Sequence, residues 1–210
     1  MGKEGHKEIP LIALTGYSRS GKDTAADHLV SLGYERRAFG DIIKGLVRDA
    51  GPSTFRFFRD WLLDTGREQA RISEIAYGWA LVKHCGIDPF TQDDSVKPFL
   101  RALLEDYGIY RYDEVTSTFF STLPAKCVNS RLCRAQEAGE WKKRGGIIVE
   151  VVRPGGKPHT DQERRWVEEL HEAGLIDTIL KNDDSIDRLN RAISLIAAGK
   201  VGGIVGASSL

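Results

Sequence analysis

The sequence predicts an α/β protein in which helices cover both faces of a parallel sheet. Short apolar runs typical of buried parallel strands recur along the chain, and amphipathic helical patterns separate them. A long stretch of helical character in the middle of the chain predicts a mostly helical insert at about residues 51–108. We therefore expect one domain over residues 1–198, followed by a glycine-rich C-terminal tail at 199–210.

Length, charge and hydropathy narrow the class of protein. The 210 residues suffice for one domain with an insert, but not for two ordinary domains. The 30 basic and 30 acidic residues cancel, so bulk binding of nucleic acid is not expected. No apolar run approaches the roughly 20 residues that span a bilayer, and the first residues lack the apolar centre of a signal peptide. The chain has three cysteines, too few for a disulfide framework, and this odd number fits a reducing cytoplasm. The lack of a long apolar run predicts that the protein has no membrane partner.

The first half of the chain alternates strand and helix before it becomes mostly helical. An apolar run predicts the first strand, and an apolar stripe that stops at Gly33, a residue suited to a helix C-cap, predicts the first helix. The elements predicted after them are a strand at 36–39, a helix at 41–50, a mostly helical stretch at 55–85 and a helix at 95–107.

The second half alternates more regularly. Thr160 and Glu163 have the spacing of a capping box, and either Asp184 or Ser185 can cap the last helix. The glycine-rich tail has no pattern that predicts structure. The predicted elements are strands at 125–129, 146–152 and 176–180, and helices at 136–144, 160–171 and 185–196.

The turn between the first strand and the first helix has the spacing of a phosphate-binding loop. Residues 16–24 read GYSRSGKDT, with Gly, four residues and Gly-Lys in sequence. Glycines let amide N–H groups turn toward an anion, the helix N-terminus adds unpaired donors, and the lysine adds a mobile cation. The alternative is a glycine-rich turn without a ligand. The predicted nucleotide-binding residues are Gly16, Ser18, Arg19, Ser20, Gly21, Lys22, Asp23 and Thr24.

Asp23 departs from the usual loop, which has Ser or Thr after the lysine as a ligand of Mg²⁺. The Asp23 carboxylate can take this role directly or through water, and Thr24 can contact an inner phosphate. The sequence therefore predicts ATP and Mg²⁺ as ligands, with Asp23 and Thr24 as the metal candidates.

Several segments carry a family resemblance. The string GYSRSGKDTAADHL resembles the start of the bacteriophage deoxynucleoside-monophosphate kinases, whose phosphate loops read GKDT. The sequence departs from that family at three points: Glu105 replaces a glutamine, Asn129 stands where an acidic residue is usual, and about two extra residues separate Arg131 from Glu137. The other similar segments, in the same order, are residues 38–44, 101–111, 129–131, 137–138, 145–146, 151–154 and 181–186.

The resemblance implies a P-loop kinase fold and transfer of the γ-phosphate of ATP, with Mg²⁺, to a deoxynucleoside monophosphate. The compartment would be the cytoplasm, that of the host if the protein is phage-encoded. The resemblance also implies that Phe39, Asp41 and Lys44 line the acceptor side of the cleft. Asp41 has an alternative role as a helix N-cap, and for a hydroxyl acceptor it would be a candidate base. The oligomeric state, including a homodimer, is left open.

A kinase also needs cations around the moving phosphoryl group, and arginine suits phosphate best. Arg131 follows one predicted strand and Arg153 ends another, so both reach the edge of the sheet at which the loop lies. Arg134 is close behind and is a candidate for acceptor binding. For each arginine the alternative is an ion pair with a surface acid. The predicted catalytic residues are Lys22, Arg131, Arg153 and Asp41.

Two other functions stay open from the residues alone. One keeps ATP as the donor but transfers phosphate to a hydroxyl, on a small metabolite or on a modified base in DNA. The other is a nucleotide-dependent switch without kinase activity. Such a switch would want an acidic residue at the end of an inner strand, where this chain has Asn129.

Overall fold

The computed structural model describes residues 9–49, 51, 56, 58–60, 63, 66, 69–90, 95–100, 112–183, 185–200 and 203–206. They divide into two compact units. The second unit is Phe39–Thr122, and the first consists of the described residues before and after it. No helix in these ranges is both long enough and apolar enough to cross a membrane.

The first unit contains a sheet of six strands, all of them parallel, in the order β2-β3-β1-β4-β5-β6. This confirms the predicted α/β class and the parallel sheet. The strands are β1 (Leu11–Thr15), β2 (Glu35–Arg37), β3 (Cys127–Asn129), β4 (Ile147–Val152), β5 (Thr178–Lys181) and β6 (Gly203–Gly206).

Four helices of the first unit lie on both faces of the sheet. Ile12 and Leu14 of β1 share one buried cluster with residues of the helices Lys22–Ser31 and Ile186–Ala197. On β4, Glu150 alternates with Val149 and Val151, so its side chain points to the opposite face of the sheet. There the Nε2 atom of His171, a helical residue, lies 2.9 Å from the Glu150 Oε2 atom. The helices are α1 (Lys22–Ser31), α5 (Ala135–Lys143), α6 (Asp161–Glu172) and α7 (Ile186–Ala197).

The central strand β1 shows why its sequence is a continuous apolar run. All five residues of Leu11–Thr15 are buried, because helices cover the sheet on both sides. A strand with one face in water would alternate apolar and polar residues instead.

The second unit is helical and has its own core. Its described helices are α2 (Phe39–Asp49), α3 (Gln69–His84) and α4 (Tyr112–Ser121), and residues 97–100 are also helical. Phe99 lies so close to Gly78 of α3 that a Cβ there would come within 2.1 Å of the ring, so the contact requires glycine. The unit includes α2 and α4 as well as the stretch predicted as the insert. The buried cluster is formed by Ile43, Val47, Phe58, Ile75, Trp79, Val82, Val96, Phe99, Leu100 and Val115.

Two elements were not predicted. The helix α4 reads YDEVTSTFFS, and its β-branched and aromatic residues have weak helix propensity, but Val115, Phe119 and Phe120 are buried along it. The strand β6 lies in the tail, where glycine hides any strand pattern, and it pairs through its backbone with β5. The predicted helix at 95–107, the similar segment at 101–111 and the alternative cap Asp184 fall partly or wholly outside the described residues.

Candidate functional site

The loop after β1 lies where the direction of the sheet reverses. From β1 the chain runs to the edge strand β2 and returns through β3, whereas β4 pairs with the other side of β1. In open parallel sheets this reversal leaves a crevice at the ends of the two flanking strands, which is the usual place for a ligand.

The backbone of the loop adopts conformations that favour glycine at two positions. Gly16 has φ 119° and Gly21 has φ 106°, both positive. A Cβ on Gly16 would lie 2.3 Å from the carbonyl oxygen of Val151, so β4 also leaves no room there. Between them Arg19, which is not glycine, has φ 63°. The chain thus turns sharply at three points between the strand and the helix.

Lys22 folds back over this turn. Its Nζ donates hydrogen bonds to the carbonyl oxygens of Gly16 at 2.7 Å and Tyr17 at 2.6 Å. An ammonium has three donors, so one is left for an anion beside the loop. Burial lowers the pKa of Lys22, and the charge of Arg131 adds to this effect, while Glu163 and Asp23 oppose it.

The N-terminus of α1 has no side-chain cap, because the residue at the cap position is Gly21. The amide N–H groups of the first helical turn have no partners within the helix itself. With the positive end of the helix dipole they form a place suited to an anion.

Asn182, at the end of β5, holds the loop from the side. Its Nδ2 donates a 2.8 Å hydrogen bond to the carbonyl oxygen of Ser20, and its backbone N–H donates to Val152 at 2.7 Å. The Ser20 hydroxyl is buried and has no hydrogen-bond partner among the described residues. This hydroxyl can therefore donate a hydrogen bond to a ligand at the loop, or accept one from it.

A cavity of about 360 Å³ opens on the outer side of the loop. This volume lies in the range of small-molecule sites. Its lining includes positive side chains and two apolar residues of α7. The lining residues are Arg19, Gly21, Lys22, Asp23, Thr24, Arg153, Asn182, Ile186 and Leu189.

Asp23 takes part in an ion-pair network. Its carboxylate pairs with Arg36 of β2, which also binds the Asp27 carboxylate at 2.8 Å and donates to the Ser130 hydroxyl at 2.9 Å. The Asp23 side chain is 78% exposed, so an oxygen remains open toward the cavity. Within the described ranges, no group of three or more His, Cys, Asp or Glu side chains is placed to hold a metal ion. The metal roles of Asp23 and Thr24 stay predictions.

Three arginines predicted to bind the transferred or acceptor phosphate, Arg131, Arg134 and Arg153, lie in different surroundings. Arg153 is exposed and lines the cavity, whereas Arg131 is exposed but does not line it. Neither guanidinium forms an ion pair with any residue in the described part of the chain, so the surface-pair alternative is not seen for these two. Arg134 occupies the N-cap position of α5. Beside it, burial raises the pKa of Glu137 to about 7, although Arg134 and two backbone N–H groups oppose the change.

Three predicted acceptor residues belong to the second unit. Phe39 is only 8% exposed and stacks on Phe119 with ring centroids 4.0 Å apart, which gives it a packing role. Asp41 and Lys44 form an ion pair at 3.5 Å. Asp41 lies inside the first turn of α2, which begins at Phe39, so its alternative role as the N-cap is wrong. An acid in this turn is favoured by the helix dipole. The roles of these residues toward an acceptor stay predictions.

Sequence reasoning missed one partner of the loop, Glu163. The capping-box prediction is right for Thr160, whose hydroxyl accepts the Glu163 N–H at 3.1 Å. The Glu163 carboxylate, however, accepts hydrogen bonds from Ser18, 145 residues away. The helix-start pattern identified Glu163, but no local signal in the sequence indicates a contact over that separation.

A scan against models of protein families finds no match to this chain, and a search of curated proteins finds no relative.

Proposed function

We propose that this protein is a kinase that transfers the γ-phosphate of ATP to a deoxynucleoside monophosphate. The observation that carries the proposal is the turn from Gly16 to Lys22 at the reversal point of the sheet. Its positive φ angles, the uncapped start of α1 and the ammonium folded over the turn together favour a polyphosphate as ligand.

The cavity supports a nucleotide better than a free phosphate. A phosphate chain would meet Lys22 and Arg19, while Ile186, which is 64% exposed, offers an apolar surface to the flat face of a base. Asn182 also lines the cavity and already fixes the loop through Ser20.

Cations are available for the transfer itself. Phosphoryl transfer depends mainly on positioning and on neutralising charge, and a phosphate acceptor is already anionic at neutral pH. Arg153 reaches the cavity from the end of β4, and Arg131 is close enough to Lys22 for its charge to lower the lysine pKa. Both guanidiniums can therefore serve the donor or the acceptor phosphate.

The residues present fit a magnesium ion that is held mostly by phosphates. Mg²⁺ in nucleotide sites keeps several waters and takes one or two protein oxygens, so a larger acidic cluster is not required. Asp23 and the Thr24 hydroxyl, which both line the cavity, would hold it. When bound, the ion would neutralise negative charge on the phosphate oxygens.

The acceptor class rests on the resemblance of the sequence. In this proposal Phe39, Asp41, Lys44 and Arg134 stand on the acceptor side, as that resemblance implies. Asp41, already paired with Lys44, needs no role as a base when the acceptor is a phosphate.

The test follows label from the γ-position of Mg-ATP into a panel of nucleosides, deoxynucleoside monophosphates and oligonucleotides. We expect transfer to at least one monophosphate. Lys22→Ala should lower the rate by about 100-fold or more, which is typical for loss of one electrostatic group that stabilises the transition state. The matched control is Lys143→Ala, a 72% exposed lysine that pairs with Glu140 on α5.

Each alternative predicts a different result. Transfer only to a hydroxyl, on a nucleoside or an oligonucleotide, would replace the acceptor and keep the donor site. Nucleotide-dependent association without any transfer would favour the switch. Full activity of Lys22→Ala would remove the loop from the mechanism.

A further inference from the structure

The Glu163 carboxylate is bound to the phosphate loop itself. Its Oε1 accepts hydrogen bonds from the Ser18 backbone N–H at 2.6 Å and from the Ser18 hydroxyl at 2.8 Å. Its Oε2 accepts from the backbone N–H of His159 at 2.6 Å. Both carboxylate oxygens are therefore used, and one of them lies on a donor pair of the loop.

This is not the usual use of a glutamate at the third position of a helix. In a capping box that carboxylate turns back to the backbone of the cap residue. Here the Thr160 hydroxyl makes its half of the box, but Glu163 reaches out of α6 to Ser18. The contact thus serves the loop and not only the helix.

The carboxylate is held in its charged form. Burial acts to raise the pKa of Glu163, but the hydrogen bonds from His159 and Ser18 and the charge of Lys22 outweigh it, so the pKa lies below its usual value. A negatively charged carboxylate is therefore hydrogen-bonded to the Ser18 amide of the loop. Under the proposed function, the same loop binds negatively charged phosphates.

We infer that Glu163 is a built-in competitor of the phosphate ligand. Its carboxylate occupies the Ser18 donors, and a phosphate group bound by the loop displaces it. The inference rests on the proposed function, because it requires the loop to bind phosphate. In this way a residue in the first turn of α6 lowers the affinity of the loop for nucleotide.

The direction of the effect follows from the donors and the charges. The Ser18 N–H can serve the carboxylate or a phosphate oxygen at full strength, but not both. A carboxylate that stays nearby also repels the phosphates. Removing its charge should therefore strengthen phosphate binding, whereas removing a residue that merely supports the loop should weaken it.

The experiment measures dissociation constants by titration calorimetry for inorganic tripolyphosphate and for Mg-ATP. The variants are Glu163→Gln, which keeps an oxygen that can accept from Ser18, and Glu163→Ala, which keeps none. Glu169→Gln removes the same charge from an exposed position on the same helix and is the matched control. We expect both Glu163 variants to bind about tenfold more tightly than the wild type, and the control to stay within about twofold.

Wild-type-like or weaker binding by Glu163→Gln would overturn the inference and leave the proposed function standing. Binding by Glu163→Gln where the wild type shows none would support the inference. If neither binds tripolyphosphate nor Mg-ATP, the proposed function fails, and the competitor role fails with it. If Glu163→Ala does not fold, Glu163→Gln decides alone, since it keeps the acceptor for Ser18.

Discussion

The helices α1 and α6 begin at the same edge of the sheet, but only α6 of these two has a side-chain cap at its N-terminus. At α6 the Thr160 hydroxyl accepts the N–H of Glu163, so part of that helix end is satisfied by the chain itself. At α1 the cap position is Gly21, which has no side chain to offer. The difference leaves the first-turn donors of α1, which lie beside a glycine turn and a lysine, without a side-chain cap.

The charges follow the same contrast. The first turn of α6 carries Asp161 and Glu163, as the helix dipole favours. The acid in the first turn of α1, Asp23, is instead paired with Arg36 on β2. Because the acid of α1 is partly neutralised from outside the helix, the edge beside Lys22 stays suited to an anion.

The comparison predicts the largest effect at the glycine turn before α1. Gly16→Ala should lower the free energy of unfolding by about 3 kcal/mol or more, because φ is 119° and the new Cβ would lie 2.3 Å from the Val151 carbonyl oxygen. Gly33→Ala is the control, with φ 88° but no atom within 4 Å, and should cost about 1 kcal/mol. Denaturant unfolding measures both. Equal costs would show that the approach of β4 does not constrain the loop.

A third helix end sharpens the comparison through pH. At α5 the buried Glu137 carboxylate accepts from the backbone N–H groups of Cys133 at 3.5 Å and Arg134 at 3.4 Å, and its pKa is raised from 4.5 to about 7. The folded state then binds a proton that the unfolded state releases, so the free energy of unfolding falls as the pH rises from about 4.5 to about 7.

Glu137→Gln cannot ionise and should escape this loss. Relative to the wild type, the variant should gain up to about 3 kcal/mol between pH 4.5 and pH 8, measured by urea unfolding across that range. Glu140→Gln on the same helix is the control, because its ion pairs lower the pKa of Glu140 and its pH dependence has the opposite sign. Parallel pH profiles for wild type and Glu137→Gln would contradict the prediction.

The capped end of α6 should respond as an ordinary helix end. Thr160→Ala removes the hydroxyl that accepts from Glu163 and should cost about 1 kcal/mol of unfolding free energy. Thr160→Ser, which keeps the hydroxyl, should restore most of it. If alanine costs nothing, the two helix ends differ less than their geometry indicates.

The smallest effect on stability is expected at Asp23. Its pair with Arg36 is largely exposed, so Asp23→Asn should change the free energy of unfolding by less than about 1 kcal/mol. If Asp23 also ligates Mg²⁺, the same variant should raise the Mg²⁺ concentration needed for phosphate transfer. An unchanged Mg²⁺ requirement, measured in the labelled-ATP assay, would assign that role elsewhere.

Local patterns predicted most of the first unit. The buried run of β1, the start of α6 at Thr160 and the glycine turn between β1 and α1 could all be predicted, because each depends on residues close together in the chain. The helix α4 and the strand β6 were not, since burial of aromatic residues and backbone pairing override weak propensities.

Within the candidate site, the sequence by itself determined which residues form the turn, because glycine spacing and the following lysine act within one stretch of chain. Only the tertiary structure decided what those residues meet. The contact of Glu163 with Ser18, the pair of Arg36 with Asp23 and the hold of Asn182 on Ser20 all join distant segments. The order of strands in the sheet creates these contacts, and that order depends on packing of the whole unit.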